Sequence, residues 1–89
     1  MSSRGITPRE NILREVTNRL RIAQERHGPA FASAHEAVSV IREELDELWD
    51  EVKRKEHMRS NVKLRNETID IAVAALRYAV QLDQEVFGE

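Results

Sequence analysis

The chain has 89 residues, 40% hydrophobic and 34% charged, with a formal net charge of −2 at pH 7. That length limits it to one small domain, and burying only about 60–65% of its unfolded surface would leave a lone monomer marginally stable. The absence of cysteine excludes disulfides, thiolate metal sites and a cysteine nucleophile, and 14 Lys+Arg against 16 Asp+Glu argue against a general nucleic-acid binder.

Residues 1–6 read as a flexible tail, without the apolar core of a secretory signal. No apolar run reaches the ~20 residues of a membrane span, so a cytoplasmic chain with no membrane contact is expected. The first helix signal is Thr7-Pro8-Arg9-Glu10, a capping box with proline at the first helical position. Ile12, Leu13, Val16, Leu20 and Ala23 then recur at three- and four-residue intervals, up to a stop at Gly28-Pro29. The five arginines of this helix ring it instead of lining one face, which disfavours a DNA-reading role.

Ser33-Ala34-His35-Glu36 is a second capping box, and the helix it opens is predicted to run to about Lys55. Its expected core stripe is Val38, Ile41, Leu45, Leu48, Trp49 and Val52. His35 is read as a helix-start residue, and His27 and His57 lack metal-like spacing. A polar stretch, 56–60, reverses the chain. The third helix is predicted from Ser60 or Asn61 to about Phe87. Its narrow polar sector holds Lys63, Glu67, Asp70, Arg77 and Gln81, and most of the remaining circumference is apolar. A helix that apolar expects neighbours on more than one side. An all-α chain of three helices is therefore expected to find a partner chain, as a homodimer or homotetramer.

Acids concentrate on the second helix. Glu44, Glu47 and Glu51 share one face, with Glu44 nearest the core stripe, and Glu67 and Asp70 form a second pair on the third helix. Antiparallel packing would bring two pairs of carboxylates to one volume. Carboxylates so close repel unless protonated or neutralised by a cation, and hard oxygen donors suit Mg²⁺ or Mn²⁺. Acidic helix faces are also ordinarily solvated faces, and the spacing alone fits either reading. Asp70, a poor helix former inside an Ile, Ala and Val run, tilts the balance towards a site.

The motif Glu43-Glu44-x-x-Glu47, nineteen residues, then Glu67-x-x-Asp70 resembles the signature of the MazG-like all-α nucleoside triphosphate pyrophosphohydrolases. The likeness extends over roughly residues 18–82. It implies Mg²⁺ held by Glu44, Glu47, Glu67 and Asp70, with Glu43 and Glu47 as catalytic carboxylates. It further implies water attack on a nucleotide, releasing pyrophosphate and a monophosphate. Larger members carry a fourth helix, so the resemblance implies a bundle completed by a second copy. Lys63 and Arg77 are the candidate phosphate contacts, though each also reads as an ordinary ion pair or solvated charge. Phe31 and Trp49 are the candidate walls for a base, with core or interface packing the competing role for Trp49. A non-catalytic helical interaction or assembly module is the alternative function.

Overall fold

The computed structural model describes residues 5–88; residues 1–4 of the expected tail lie outside them. Three helices carry the fold: α1 (Pro8–His27), α2 (Ala34–Val52) and α3 (Asn61–Phe87), with a single 3-10 turn at Glu56–Met58 before α3. None of them is long and apolar enough to cross a membrane.

The local chemistry explains the boundaries. Thr7 accepts from the Glu10 amide at 3.1 Å while Glu10 accepts from the Thr7 amide at 2.9 Å, so the predicted box closes in both directions. Gly28 ends α1 at φ 85°, a left-handed conformation that costs glycine little. At the start of α2 the box is displaced. Ser33 accepts from the Glu36 amide at 3.1 Å, but the Glu36 carboxylate reaches one residue further back, to the Ala32 amide at 2.6 Å.

The second helix ends at Val52, three residues short of the predicted Lys55. Arg59 is the reason. Its Nε donates to the carbonyls of Val52 at 2.9 Å and Arg54 at 3.1 Å, satisfying acceptors that a longer helix would have paired internally. Glu51 holds the other side of the turn. Only 4% exposed, it accepts from the Ser60 amide at 2.7 Å and so fixes the start of α3. We expect Glu51→Ala to cost about 1.5–3 kcal/mol, the range for a hydrogen bond to a charged group. Urea denaturation monitored by circular dichroism measures it.

The helix α3 is central, with α1 and α2 each packed against it. Val16, Ile69 and Val73 form the buried cluster, flanked by Ile12, Leu20, Ala23 and Ala72. Two predicted stripes need correction. Leu13 is exposed, because it points a full step around α1 from the Ile12–Val16–Leu20 line that meets α3. On α2, Val38, Leu45 and Trp49 are exposed as well. The inward face is instead built on Ala37, Val40, Ile41, Glu44, Leu48, Glu51 and Val52, all buried or half-buried. With spacings of seven and four, the three exposed residues form an apolar strip of their own.

This fold is open for its size. Its radius of gyration is 15.2 Å, against about 12 Å for a compact chain of 89 residues. Its accessible surface is 6724 Å², against roughly 5,400 Å² for a compact monomer of this mass.

Candidate functional site

The acidic cluster assembles where α2 crosses α3. One carboxylate oxygen each from Glu44, Glu67 and Asp70 lies within 4.8 Å of the others, and all three residues are half-buried. Glu44 comes from the inward face of α2. Glu67 and Asp70, three apart, project together from α3. Glu47 is exposed on α2, close enough to Glu67 for its carboxylate to push that of Glu67 upward. Glu43 is exposed and reaches the cluster through its charge on Glu44.

The electrostatics are those of crowded acids. Partial burial, then the charges of Glu47, Asp70, Glu67 and Glu43, pushes the Glu44 carboxyl above its ordinary value of 4.5. Glu67 is raised by burial and then by Glu47 and Asp70, with Lys63 opposing. Its Oε1 is enclosed and has no hydrogen-bond partner among the described residues. A raised acid binds more protons folded than unfolded, so these two groups destabilise the native state above the raised values. An orphaned buried acceptor inside a knot of like charge fits a hard divalent cation, to which Glu44, Glu67 and Asp70 would offer oxygens.

A cavity of about 280 Å³ adjoins the acids at the junction of the three helices. Glu44 and Asp70 contribute to its wall, as do Arg19, Arg26 and Arg77, over an apolar lining that includes Val40 and Val73. Arg19 bridges two acids, donating to Asp70 Oδ1 at 3.2 Å and to Glu15 at 2.5 Å. Glu15 in turn accepts from Arg65 at 2.5 Å, so the pairing fastens α1 to α3.

The other predicted contacts separate. Arg77 lines the cavity and is buried. Lys63 lies exposed in the first turn of α3, near enough to Glu67 for its positive charge to oppose the upward push of burial and the neighbouring acids. Phe31 is 5% exposed, with the Arg77 guanidinium 4.0 Å from its ring centroid and Tyr78 edge-on at 6.0 Å. Its ring thus packs against Arg77 and Tyr78, and it lines a second cavity together with Val40 and Arg77. Trp49 is 56% exposed on the outer strip of α2 and is not part of the cavity wall.

Sequence reasoning missed Arg19, Arg26 and Gln81 as site residues. A signal existed for the first two: Ile12, Val16, Arg19, Ala23 and Arg26 continue one three-four repeat, so both arginines lie on the face that meets α3. Gln81 gave none, because its partner is the backbone of a loop fifty residues away. No family model matches the chain, and neither a curated protein nor a solved structure does.

Proposed function

We propose that the chain is a MazG-like nucleotide pyrophosphohydrolase dependent on Mg²⁺ or Mn²⁺. The observation that carries this reading is the convergence of Glu44, Glu67 and Asp70 from two helices, beside an arginine-lined cavity. Glu44, Glu67 and Asp70 would hold the ion, with Glu47 beside Glu67. Bound there, it supplies Lewis acidity to the phosphate oxygens and acidifies a water. The protein's own contribution is then positional. Glu47, exposed next to the triad, accepts the proton of the attacking water, and Glu43 adds negative charge behind it. The arginines neutralise the phosphates, and no covalent intermediate with the chain is needed. The products are pyrophosphate and a nucleoside monophosphate.

The test is pyrophosphate release with Mg²⁺ from a panel of ribo- and deoxynucleotides. Wild type is expected to turn over at least one of them, and a Glu47→Gln, Asp70→Asn double variant to fall to background. Equal rates for the two proteins on every substrate would overturn the proposal.

The same reading makes the protein a homo-oligomer. Val38, Leu45 and Trp49 on α2, and Leu82 and Val86 on the back of α3, are apolar and exposed. The surface excess of the isolated chain exceeds the ~800 Å² that each partner contributes to a standard interface. A second copy covering these residues supplies the missing wall of the bundle.

A further inference from the structure

Arg77 is the most unusual charge in the molecule. It is 8% exposed, and no carboxylate pairs with it among the described residues. One hydrogen bond engages its five donors: Nη2 donates to the His27 carbonyl at 3.3 Å, at the end of α1. Its Nε is enclosed and has no partner. A buried cation without a counter-charge is costly. The cost is tolerable when the group is held ready for an anion.

The surroundings hold it in that way. Phe31 covers one face of the guanidinium. The loop bearing Phe31 is itself clamped by one side chain: Gln81 Oε1 accepts from the Phe31 amide at 2.8 Å, and Gln81 Nε2 donates to the Phe31 carbonyl at 3.3 Å. Gln81 sits one turn beyond Arg77 on the same side of α3, so helix, loop and guanidinium are locked together. The cavity has Arg77 in its wall, with Arg26 adding positive charge from α1; Arg19 in the same wall is already paired to Asp70 and Glu15, and Glu44 and Asp70 mark the acidic end. Asp70 is two turns away along α3, about 10.5 Å of helix rise, which leaves room between the acids and Arg77 for linked phosphates.

We propose that the cavity is a preorganised phosphate-class anion site, anchored by Arg77, with Phe31 and Gln81 as positioning residues. Bonding to the guanidinium fork satisfies the donors that the fold leaves free. The nucleotide reading supplies the identity of the ligand, a polyphosphate whose far end rests on Arg77. The existence of an anion site does not depend on that reading.

The experiment uses the full chain with divalent cations removed by a chelator. Inorganic pyrophosphate is titrated in, followed by calorimetry and by the NMR signal of the Arg77 Nε–H, assigned through Arg77→Lys. Saturable binding with a moving Nε–H signal is expected, as is a loss in folded Arg77→Met of at least about tenfold in affinity. Arg77→Lys should recover only part, since a point charge replaces a two-pronged donor. ATP should shift the signal and adenosine should not. Absence of saturable binding, an unmoved Arg77 signal at saturation, or unchanged affinity in folded Arg77→Met would each overturn the site; the NMR criterion holds even if the methionine variant does not fold. A chain that binds pyrophosphate through Arg77 yet hydrolyses no nucleotide keeps this site and loses the hydrolase. Hydrolysis with an unmoved Arg77 signal does the reverse.

Discussion

Glu67→Gln is expected to raise the melting temperature of the metal-free protein and to abolish its response to Mg²⁺. In most proteins, replacing a half-buried charged residue lowers stability. Here the sign reverses, because Glu67 bonds to nothing at Oε1 and faces Glu47, Asp70 and Glu44. An isosteric amide removes one charge from the knot and can donate to a neighbouring carboxylate. Relief of about 1 kcal/mol would move the midpoint of a domain this size by roughly 4–8 °C. If the cluster takes Mg²⁺ as proposed, binding to the native state should raise the wild-type midpoint as Mg²⁺ increases. The variant, lacking one oxygen ligand, should stay flat. A variant that melts lower than wild type and still responds to Mg²⁺ would mean that the cluster is a solvated acidic face.

The pH dependence follows from the same groups. Between 4.5 and their raised folded values, Glu44 and Glu67 hold more protons in the native state than in the unfolded one. Stability therefore falls as pH rises through that window, and the metal-free wild type should melt higher as pH drops from neutral. Below 4.5 the direction turns. Glu10, lowered by its Thr7 cap, and Glu15, lowered by Arg65, lose their favourable interactions on protonation. Differential scanning calorimetry across pH 4–7.5 should show a maximum on the acid side, shallower in Glu67→Gln and shifted towards neutral pH by Mg²⁺.

Leu45→Glu combined with Trp49→Glu is expected to convert an oligomer to monomer, read by light scattering as a fall to the 10.3 kDa of one chain. Both side chains are more than half exposed and touch little within the chain, so the substitutions cost the isolated fold little. Two carboxylates facing their copies across an apolar interface would be strongly unfavourable. Thermal stability should fall with the oligomer, because the buried cluster among the described residues is small: Val16, Ile69 and Val73 with partly buried neighbours. A monomeric wild type would remove the partner copy and leave the exposed strip without an explanation.

The helices and their starts were legible in the sequence because caps are local. Thr7, Ser33 and Ser60 each satisfy amides three residues ahead, and the Glu51 carboxylate, which accepts from the Ser60 amide, reinforces the last of these starts. The end of α2 was not, because it depends on Arg59 folding back over the turn. The pairing of Glu44 with Glu67 and Asp70 was readable as spacing on two helices. That it closes to one cluster required the crossing of α2 over α3.

What the sequence determined by itself is the inventory: three amphipathic helices, two pairs of spaced acids, and more apolar surface than one short chain can bury. What only the tertiary structure decided is which faces turn inward. The narrow polar sector of α3, with Glu67, Asp70, Arg77 and Gln81, faces the other helices, whereas Leu82 and Val86 remain exposed. Periodicity ranks faces by hydrophobicity, but burial is settled by the partners each face meets. Here Glu44, Arg19 and the Phe31 loop offer α3 charge and hydrogen bonds that its apolar back does not need.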